Sequence, residues 1–149
     1  MRVLSFVFAA AFAAALAAPA LAADHQIRML NKGAKGMMVF EPDVVRIAPG
    51  DTVTFVATNP GHDARSIEGM LPEGAQPFAG QLGKDVRVTF TRPGVYGVEC
   101  RPHYAMGMVA AVIVGEPVNL EAARKVGHPK MAAKKFEGIL ATVQSAEAK

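Results

Sequence analysis

The chain contains one cysteine, Cys100, and a histidine and two methionines follow it closely. The run Cys100-Arg-Pro-His103-Tyr-Ala-Met106-Gly-Met108 brings a thiol, an imidazole and two thioethers into one short segment. A second histidine, His62, lies 38 residues before Cys100. Soft sulfur favours Cu(I), imidazole suits both oxidation states of copper, and a weak axial methionine completes a mononuclear electron-transfer site. These side chains therefore predict one copper ion that exchanges electrons without binding a substrate.

Two methionines compete for the axial position, and chemistry alone leaves the choice open. Met108 begins a continuous apolar strand, which fixes its backbone, whereas Met106 lies within the turn. Outside this segment, His25 and His128 have no sulfur neighbours, and we expect both on the surface.

A lone cysteine can also be inert, cross-linked, bound to zinc or catalytic, and each of these roles fits the pattern less well. A buried inert thiol or a disulfide between chains would leave the neighbouring histidine and methionine without a role. Structural zinc sites are usually richer in cysteine and histidine, with ligands in close pairs. A catalytic cysteine would need a group that orients His103, and no such group is evident.

The first 22 residues have the composition of a signal peptide. Arg2 supplies a positive end, residues 3–18 are almost wholly apolar, and Ala20-Leu-Ala22 matches a cleavage site. A membrane anchor is the weaker alternative, because the apolar run is short and Pro19 interrupts it. We therefore predict export to a bacterial periplasm as a soluble protein without a membrane segment.

The charge balance excludes some classes of partner. The full chain has 16 basic and 13 acidic side chains, and no basic stripe is interleaved with aromatic residues. This argues against nucleic-acid binding. A mildly basic surface can still attract acidic proteins transiently.

Short segments rich in Val, Ile, Phe and Thr alternate with Gly and Pro turns up to Gly115, which predicts an antiparallel sandwich or barrel. The predicted strands cover residues 26–31, 37–40, 44–47, 51–57, 86–90, 95–99 and 108–114. The pattern after Gly115 is helical, with Asn119 as the cap of a helix over residues 120–126 and a second helix beginning at Pro129. We expect a sandwich over residues 23–115 and a helical tail over residues 116–149 that packs on it.

Several segments closely resemble the pseudoazurins, a family of periplasmic cupredoxins with type 1 (blue) copper. The spacing Cys-x2-His-x4-Met is shared with plastocyanin, and the helical tail separates the chain from plastocyanin. The resembling segments are Met29-Leu-Asn-Lys-Gly33, Met38-Val-Phe-Glu-Pro42, Ala48-Pro-Gly-Asp-Thr-Val-Thr-Phe55, Pro93-Gly-Val-Tyr-Gly97, His103-Tyr104 and Met106-Gly-Met108. The resemblance implies an all-β, eight-stranded Greek-key sandwich with two C-terminal α-helices.

The resemblance also implies the ligand set and its surroundings. The copper ligands would be His62, Cys100, His103 and Met108, which decides between the two methionines. The family's surrounding positions correspond to Met38, Asp63, Arg101 and Pro102. Asp63 and Arg101 depart from a common Asn and a common Thr, so we expect them to form a compensating ion pair. Met38 is expected beside His103.

The family role is to shuttle single electrons to partners such as copper nitrite reductase in denitrification, and a cytochrome c or a cytochrome peroxidase is a further candidate. The expected docking residues are Lys32, Lys35, Lys84 and Met106. Pro60 and Glu99 stand where the family often has lysine, which thins the basic ring. We expect a monomer. A copper chaperone is less favoured because strands brace these ligands, and a multicopper enzyme would need more histidines.

Overall fold

The computed structural model describes residues 21–147, with side chains as far as residue 143. The predicted signal segment lies outside the described residues, apart from Leu21 and Ala22. In the described part the strands are β1 (Asp24–Gly33), β2 (Gly36–Glu41), β3 (Val44–Ile47), β4 (Thr52–Val56), β5 (Arg65–Ser66), β6 (Val86–Thr89), β7 (Gly94–Glu99) and β8 (Val109–Val114). A 3₁₀ turn (Arg101–Met106) joins β7 to β8, and α1 (Leu120–Ala123) and α2 (Lys130–Glu147) follow.

The strands form two four-stranded sheets, in the orders β2-β1-β4-β6 and β3-β8-β7-β5. Most neighbours are antiparallel, but β1 pairs with β4 and β3 pairs with β8 in parallel. Chain segments must therefore cross between the sheets, as in a Greek-key sandwich. The expected all-β fold with eight strands and two C-terminal helices is confirmed.

The second sheet is buried on both faces, which explains why β8 is apolar throughout. One face of β7 and β8 lies against the first sheet, and we call the apolar layer between the sheets the inner core. The other face lies under α1 and α2, and we call that layer the outer core. Alternate residues of a strand point to opposite faces, so Val112 belongs to the inner core and Ile113 to the outer core.

The helical tail packs on the second sheet. Apolar side chains recur along α2 at helical spacing and are almost fully buried in the outer core: Ala132, Phe136, Ile139, Leu140 and Val143. The described helices include none with the length and hydropathy of a membrane span.

Three details differ from the sequence-based prediction. The short strand β5 was missed, because two residues cannot show a period. The helix α1 ends at Ala123 rather than at residue 126. Asn119 does not cap it with its side chain; its Oδ1 instead accepts the Val95 N–H at 2.6 Å and its Nδ2 donates to the Val95 carbonyl at 2.9 Å. The amide therefore joins the tail to β7.

Candidate metal centre

Four predicted ligands come from loops and strand ends on the two sheets. His62 lies in the connection between β4 and β5, and Cys100 directly follows β7. His103 lies in the 3₁₀ turn, and Met108 directly precedes β8. Because both connections start from strands paired within rigid sheets, the positions of these side chains are set by the fold as well as by the loops themselves.

Three donor atoms, two imidazole nitrogens and one sulfur, lie close together. His62 Nδ1 lies 3.1 Å from His103 Nδ1, and Cys100 Sγ lies 3.7 Å from His62 Nδ1 and 3.5 Å from His103 Nδ1. A triangle with these sides has its centre about 2 Å from each corner, close to the length of metal–imidazole and metal–thiolate bonds. The donor set therefore fits a metal ion.

Met108, the predicted fourth ligand, lies in the inner core. Its side chain is fully buried in the same apolar layer as Cys100. Its carbonyl accepts the Cys100 N–H at 3.1 Å, and its N–H donates to the His103 carbonyl at 3.2 Å. These two backbone bonds close the segment Cys100–Met108, the ligand loop, into a compact turn. Two imidazoles, a thiolate and a thioether suit copper better than zinc.

His62 is oriented by a residue that the sequence pattern did not single out. Its Nε2 lies 2.8 Å from Asn31 Oδ1, so the N–H on that nitrogen donates to the amide oxygen. This leaves the Nδ1 lone pair directed at the other donors, as expected of a ligand held by an outer hydrogen bond. Asn31 lies inside the segment Met29–Gly33, but nothing in its type or spacing indicates a partner 31 residues away.

Burial governs the protonation of the donors. Burial, followed by the neighbouring His103, lowers the pKa of His62 and so favours the neutral ring that a metal needs. Burial raises the pKa of the Cys100 thiol, while the backbone N–H groups of Asp63 and His103 lower it. Metal binding must therefore displace a proton from the sulfur.

Comparison with known proteins agrees with this geometry. Residues 27–115 match the family model of copper binding proteins, plastocyanin/azurin family. The pseudoazurin of Paracoccus pantotrophus is 47% identical over 140 residues, which cover 93% of this chain and 97% of that protein. The chain belongs to the pseudoazurins. The pseudoazurin of Methylorubrum extorquens is 45% identical and covers 90% of this chain and 91% of its own.

A solved structure extends the agreement from sequence to fold. The crystal structure of pseudoazurin from Methylobacterium extorquens AM1 superposes with a TM-score of 0.78 at 44% identity, and covers 80% of this chain and 98% of that one. Pseudoazurins and plastocyanins are copper electron-transfer proteins rather than enzymes. This pseudoazurin accordingly has His62, Cys100, His103 and Met108 arranged as a potential copper site.

The structure brings Asp63 and Arg101 together, but not mainly through their charges. Asp63 is 1% exposed, and its Oδ1 accepts the backbone N–H of Arg101 at 2.7 Å. The guanidinium Nε lies 3.9 Å from the second carboxylate oxygen, on a side chain that is 64% exposed. The carboxylate thus joins the β4–β5 connection, which carries His62, to the backbone of the ligand loop. The ion pair adds a weaker contact.

The other two residues predicted to surround the site occupy different environments. Pro102 is exposed near the start of the 3₁₀ turn, where it contributes no N–H. Met38 is partly buried against the inner core and has a left-handed backbone with a φ of 51°. Its expected place beside His103 stays a prediction.

The predicted docking residues differ in exposure and in whether a neighbouring carboxylate offsets their charge. Lys32 and Lys84 are exposed. Lys35 is also exposed, but its Nζ lies 2.7 Å from Asp43 Oδ1, so part of its charge is offset. Met106 is 48% exposed on the ligand loop.

The prediction that His25 and His128 are surface histidines is only partly right. His25 is partly exposed and lies 3.2 Å from Asp51 Oδ2. His128 is half-buried, and its Nδ1 lies 2.6 Å from the hydroxyl of Tyr104 on the ligand loop. The two residues are 24 positions apart, and no sequence spacing would have paired them.

Proposed function

We propose that this protein is a periplasmic one-electron carrier whose copper ion is held by His62, Cys100, His103 and Met108. The observation that supports the ligand set is the triangle of two imidazole nitrogens and one sulfur with sides of 3.1 to 3.7 Å. A thioether from the same core is available for the axial position.

When bound, copper supplies a reversible one-electron couple. The protein contributes a ligand frame that changes little between oxidation states, because the ligand loop is closed by backbone hydrogen bonds and Asp63 joins it to the other ligand segment. His62 and Cys100 are fully buried, whereas the His103 ring is half-buried. We infer that electrons pass through the partly exposed edge of His103.

The proposed location is a bacterial periplasm. The basic first residues, the apolar run and the cleavage pattern over residues 1–22 support export. The proposed mature chain then has the sandwich over residues 23–115 and the helical tail over residues 116–149.

The proposed electron acceptor is copper nitrite reductase or a related periplasmic reductase, with a cytochrome c or a cytochrome peroxidase as the other redox partner. Met106 and the 59% exposed Met37 offer apolar contact area, and Lys32 and Lys84 offer positive charge. A small apolar contact with charges at its rim suits a brief encounter between monomers.

An optical spectrum and a rate measurement test the two parts of the proposal. After addition of Cu(II), the protein should show the intense blue band of copper–thiolate charge transfer; a colourless sample would refute the copper site. The reduced protein is then mixed in a stopped-flow instrument with copper nitrite reductase and, separately, with cytochrome peroxidase.

The docking residues are tested in the same instrument. Lys32→Gln and Lys84→Gln should slow electron transfer to the reductase, and the effect should shrink at high salt. Lys125→Gln, an exposed lysine outside the predicted docking set, is the matched control. Equal rates for all variants would contradict the docking surface, and transfer to the peroxidase alone would contradict the proposed acceptor.

A further inference from the structure

The ligand loop is attached to the helical tail through the residue next to a copper ligand. Tyr104 directly follows His103, and its hydroxyl lies 2.6 Å from His128 Nδ1. The two rings meet edge to face, with centroids 6.1 Å apart. Tyr104 also packs against the outer core. The side chain of His103 thus lies at the metal site, whereas that of the next residue, Tyr104, lies against the helical tail.

His128 is itself held in place by the tail. It lies in the connection between α1 and α2, and its ring lies over that of Phe136 with centroids 4.6 Å apart and planes tilted by 33°. Phe136 is 2% exposed in the outer core. A continuous set of contacts therefore leads from the buried face of α2 through His128 to the ligand loop.

The protonation states favour a defined hydrogen bond between the pair. Burial lowers the pKa of His128, so the ring is neutral at neutral pH and one nitrogen can accept. The Tyr104 side chain offers a phenolic O–H that can act as the donor. The separation of 2.6 Å fits donation from the hydroxyl to Nδ1 of a ring protonated at Nε2.

The loop backbone carries this restraint to His103. The His103 carbonyl accepts the N–H of Gly107 and that of Met108, and the Tyr104 carbonyl also accepts the Gly107 N–H at 2.9 Å. Gly107 has a φ of 86°, and a Cβ placed there would lie 3.3 Å from the Met131 carbonyl of α2. The loop thus lies directly against the first turn of α2.

We propose that His128 is a positioning residue for the copper site, which acts through Tyr104 to hold His103 at its short distances from Cys100 and His62. The inference rests on the proposed ligand set. Under this proposal the helical tail helps to retain the metal, in addition to packing on the second sheet.

The test measures the rate at which a chelator removes copper from Tyr104→Phe, His128→Phe and the double variant. Each substitution deletes one partner of the hydrogen bond and keeps an aromatic ring, so the packing on Phe136 is preserved. We expect each single variant to lose copper about fivefold faster, the kinetic equivalent of one ordinary hydrogen bond. The double variant should be no faster than either single one, because the same bond is lost in all three.

Tyr96→Phe is the matched control. Its hydroxyl donates to the Arg92 carbonyl at 2.8 Å, away from the ligand loop, and we expect the wild-type rate of copper loss. The visible spectrum and the reduction potential, which a purely structural role would leave unchanged, should shift in the two test variants and not in the control.

The proposal is overturned if the test variants lose copper at the wild-type rate with an unchanged spectrum, whatever happens to their thermal stability. Additive effects in the double variant would also overturn it, because the two residues would then act separately. Failure of the copper site itself is distinguishable, since the wild-type protein would then show no blue band.

Discussion

The inner and outer cores share β7 and β8, yet their buried polar content differs. The inner core ends at the ligand loop, where His62 and Asp63 are almost completely buried and each has a hydrogen-bond partner. The outer core is apolar, and its polar contact with the loop is the half-buried pair Tyr104 and His128. Buried polar groups need hydrogen-bond partners. The stability of the inner core at its metal end therefore depends on specific hydrogen bonds, whereas that of the outer core depends on how well its apolar side chains fill the available volume.

The chain therefore separates the residues that bind the metal from those that support the fold. The ligands lie on one side of the shared strands, and the helices that bury most of the tail's apolar area lie on the other. Apart from the contact between Tyr104 and His128, a substitution within the outer core should therefore lower stability and leave copper binding unchanged. A substitution at the inner core's metal end should change copper binding, whether or not it also lowers stability. Four predictions test this separation, in order of decreasing effect.

The largest effect is expected from Cys100→Ala, which removes the only thiol of the chain. The blue band should be lost completely, because copper–thiolate charge transfer needs that sulfur. The copper-free protein should stay folded, since sulfur is only one of many apolar groups in the inner core. The measurement is an optical titration with Cu(II) beside a circular dichroism melt.

The two methionines provide the control for this prediction. Met106→Ala should keep the blue spectrum, because that side chain is 48% exposed, whereas Met108→Ala should change it. A normal spectrum in Met108→Ala together with an altered one in Met106→Ala would show that the axial position had been assigned to the wrong residue.

The second prediction concerns the outer core. Ile139 on α2 is 4% exposed, and Ile139→Ala should lower the free energy of unfolding by about 2–5 kcal/mol through lost burial and an unfilled cavity. Chemical denaturation should be followed on copper-free protein, because bound copper would add its own stabilisation. The spectrum of the copper-loaded variant should match the wild type; an altered spectrum would show that the two cores are not separable.

The parts of the fold that sequence could predict are those set by local patterns. Short segments rich in Val, Ile, Phe and Thr between turn residues located seven of the eight strands, and Cys100 with its neighbours identified the ligand loop by spacing alone. Period-two and helical patterns repeat over several residues, so they survive single exceptions. Resemblance to a family was needed to decide between Met106 and Met108.

The contacts that sequence did not predict are single pairs between distant segments. Asn31 with His62, Asn119 with Val95, and Tyr104 with His128 each depend on where two connections meet after folding. Neither partner carries a local signal, because a hydrogen bond needs only one suitable atom on each side. Asp63 was correctly placed near Arg101, but the backbone N–H as its main partner was not foreseen.

The third prediction separates that backbone bond from the ion pair. Asp63→Ala should cost about 1–3 kcal/mol in stability, because it leaves the Arg101 N–H without its partner. Arg101→Thr keeps that N–H and should cost less than about 1 kcal/mol, since the guanidinium is largely exposed. Denaturation of copper-free variants measures both, and a chelator assay should rank copper loss in the same order.

The double variant completes the comparison. If charge pairing dominated, Arg101→Thr would cost as much as Asp63→Ala and would have little further effect in its background. That result would show that the ion pair is the main contact between the ligand loop and the β4–β5 connection, which carries His62.

The smallest effect is expected from Pro102→Ala, which adds one backbone N–H two residues after Cys100. Burial raises the pKa of that thiol, and the backbone N–H groups of Asp63 and His103 already lower it in part. A further donor would draw charge from the thiolate, and a less electron-rich sulfur stabilises Cu(II) less than before. The reduction potential should therefore rise, by about 40 mV for each kcal/mol of new bond energy.

Voltammetry checks the direction of this shift, with Pro49→Ala as the control. Pro49 is also exposed in a turn, but it lies beside Gly115, next to the end of β8 opposite Met108. Loss of a proline ring there should leave the potential unchanged. A lower potential in Pro102→Ala, or equal shifts in both variants, would mean that the ring acts through chain stiffness rather than through its missing N–H. The ligand loop would then resemble the outer core, in which shape matters more than hydrogen-bond partners.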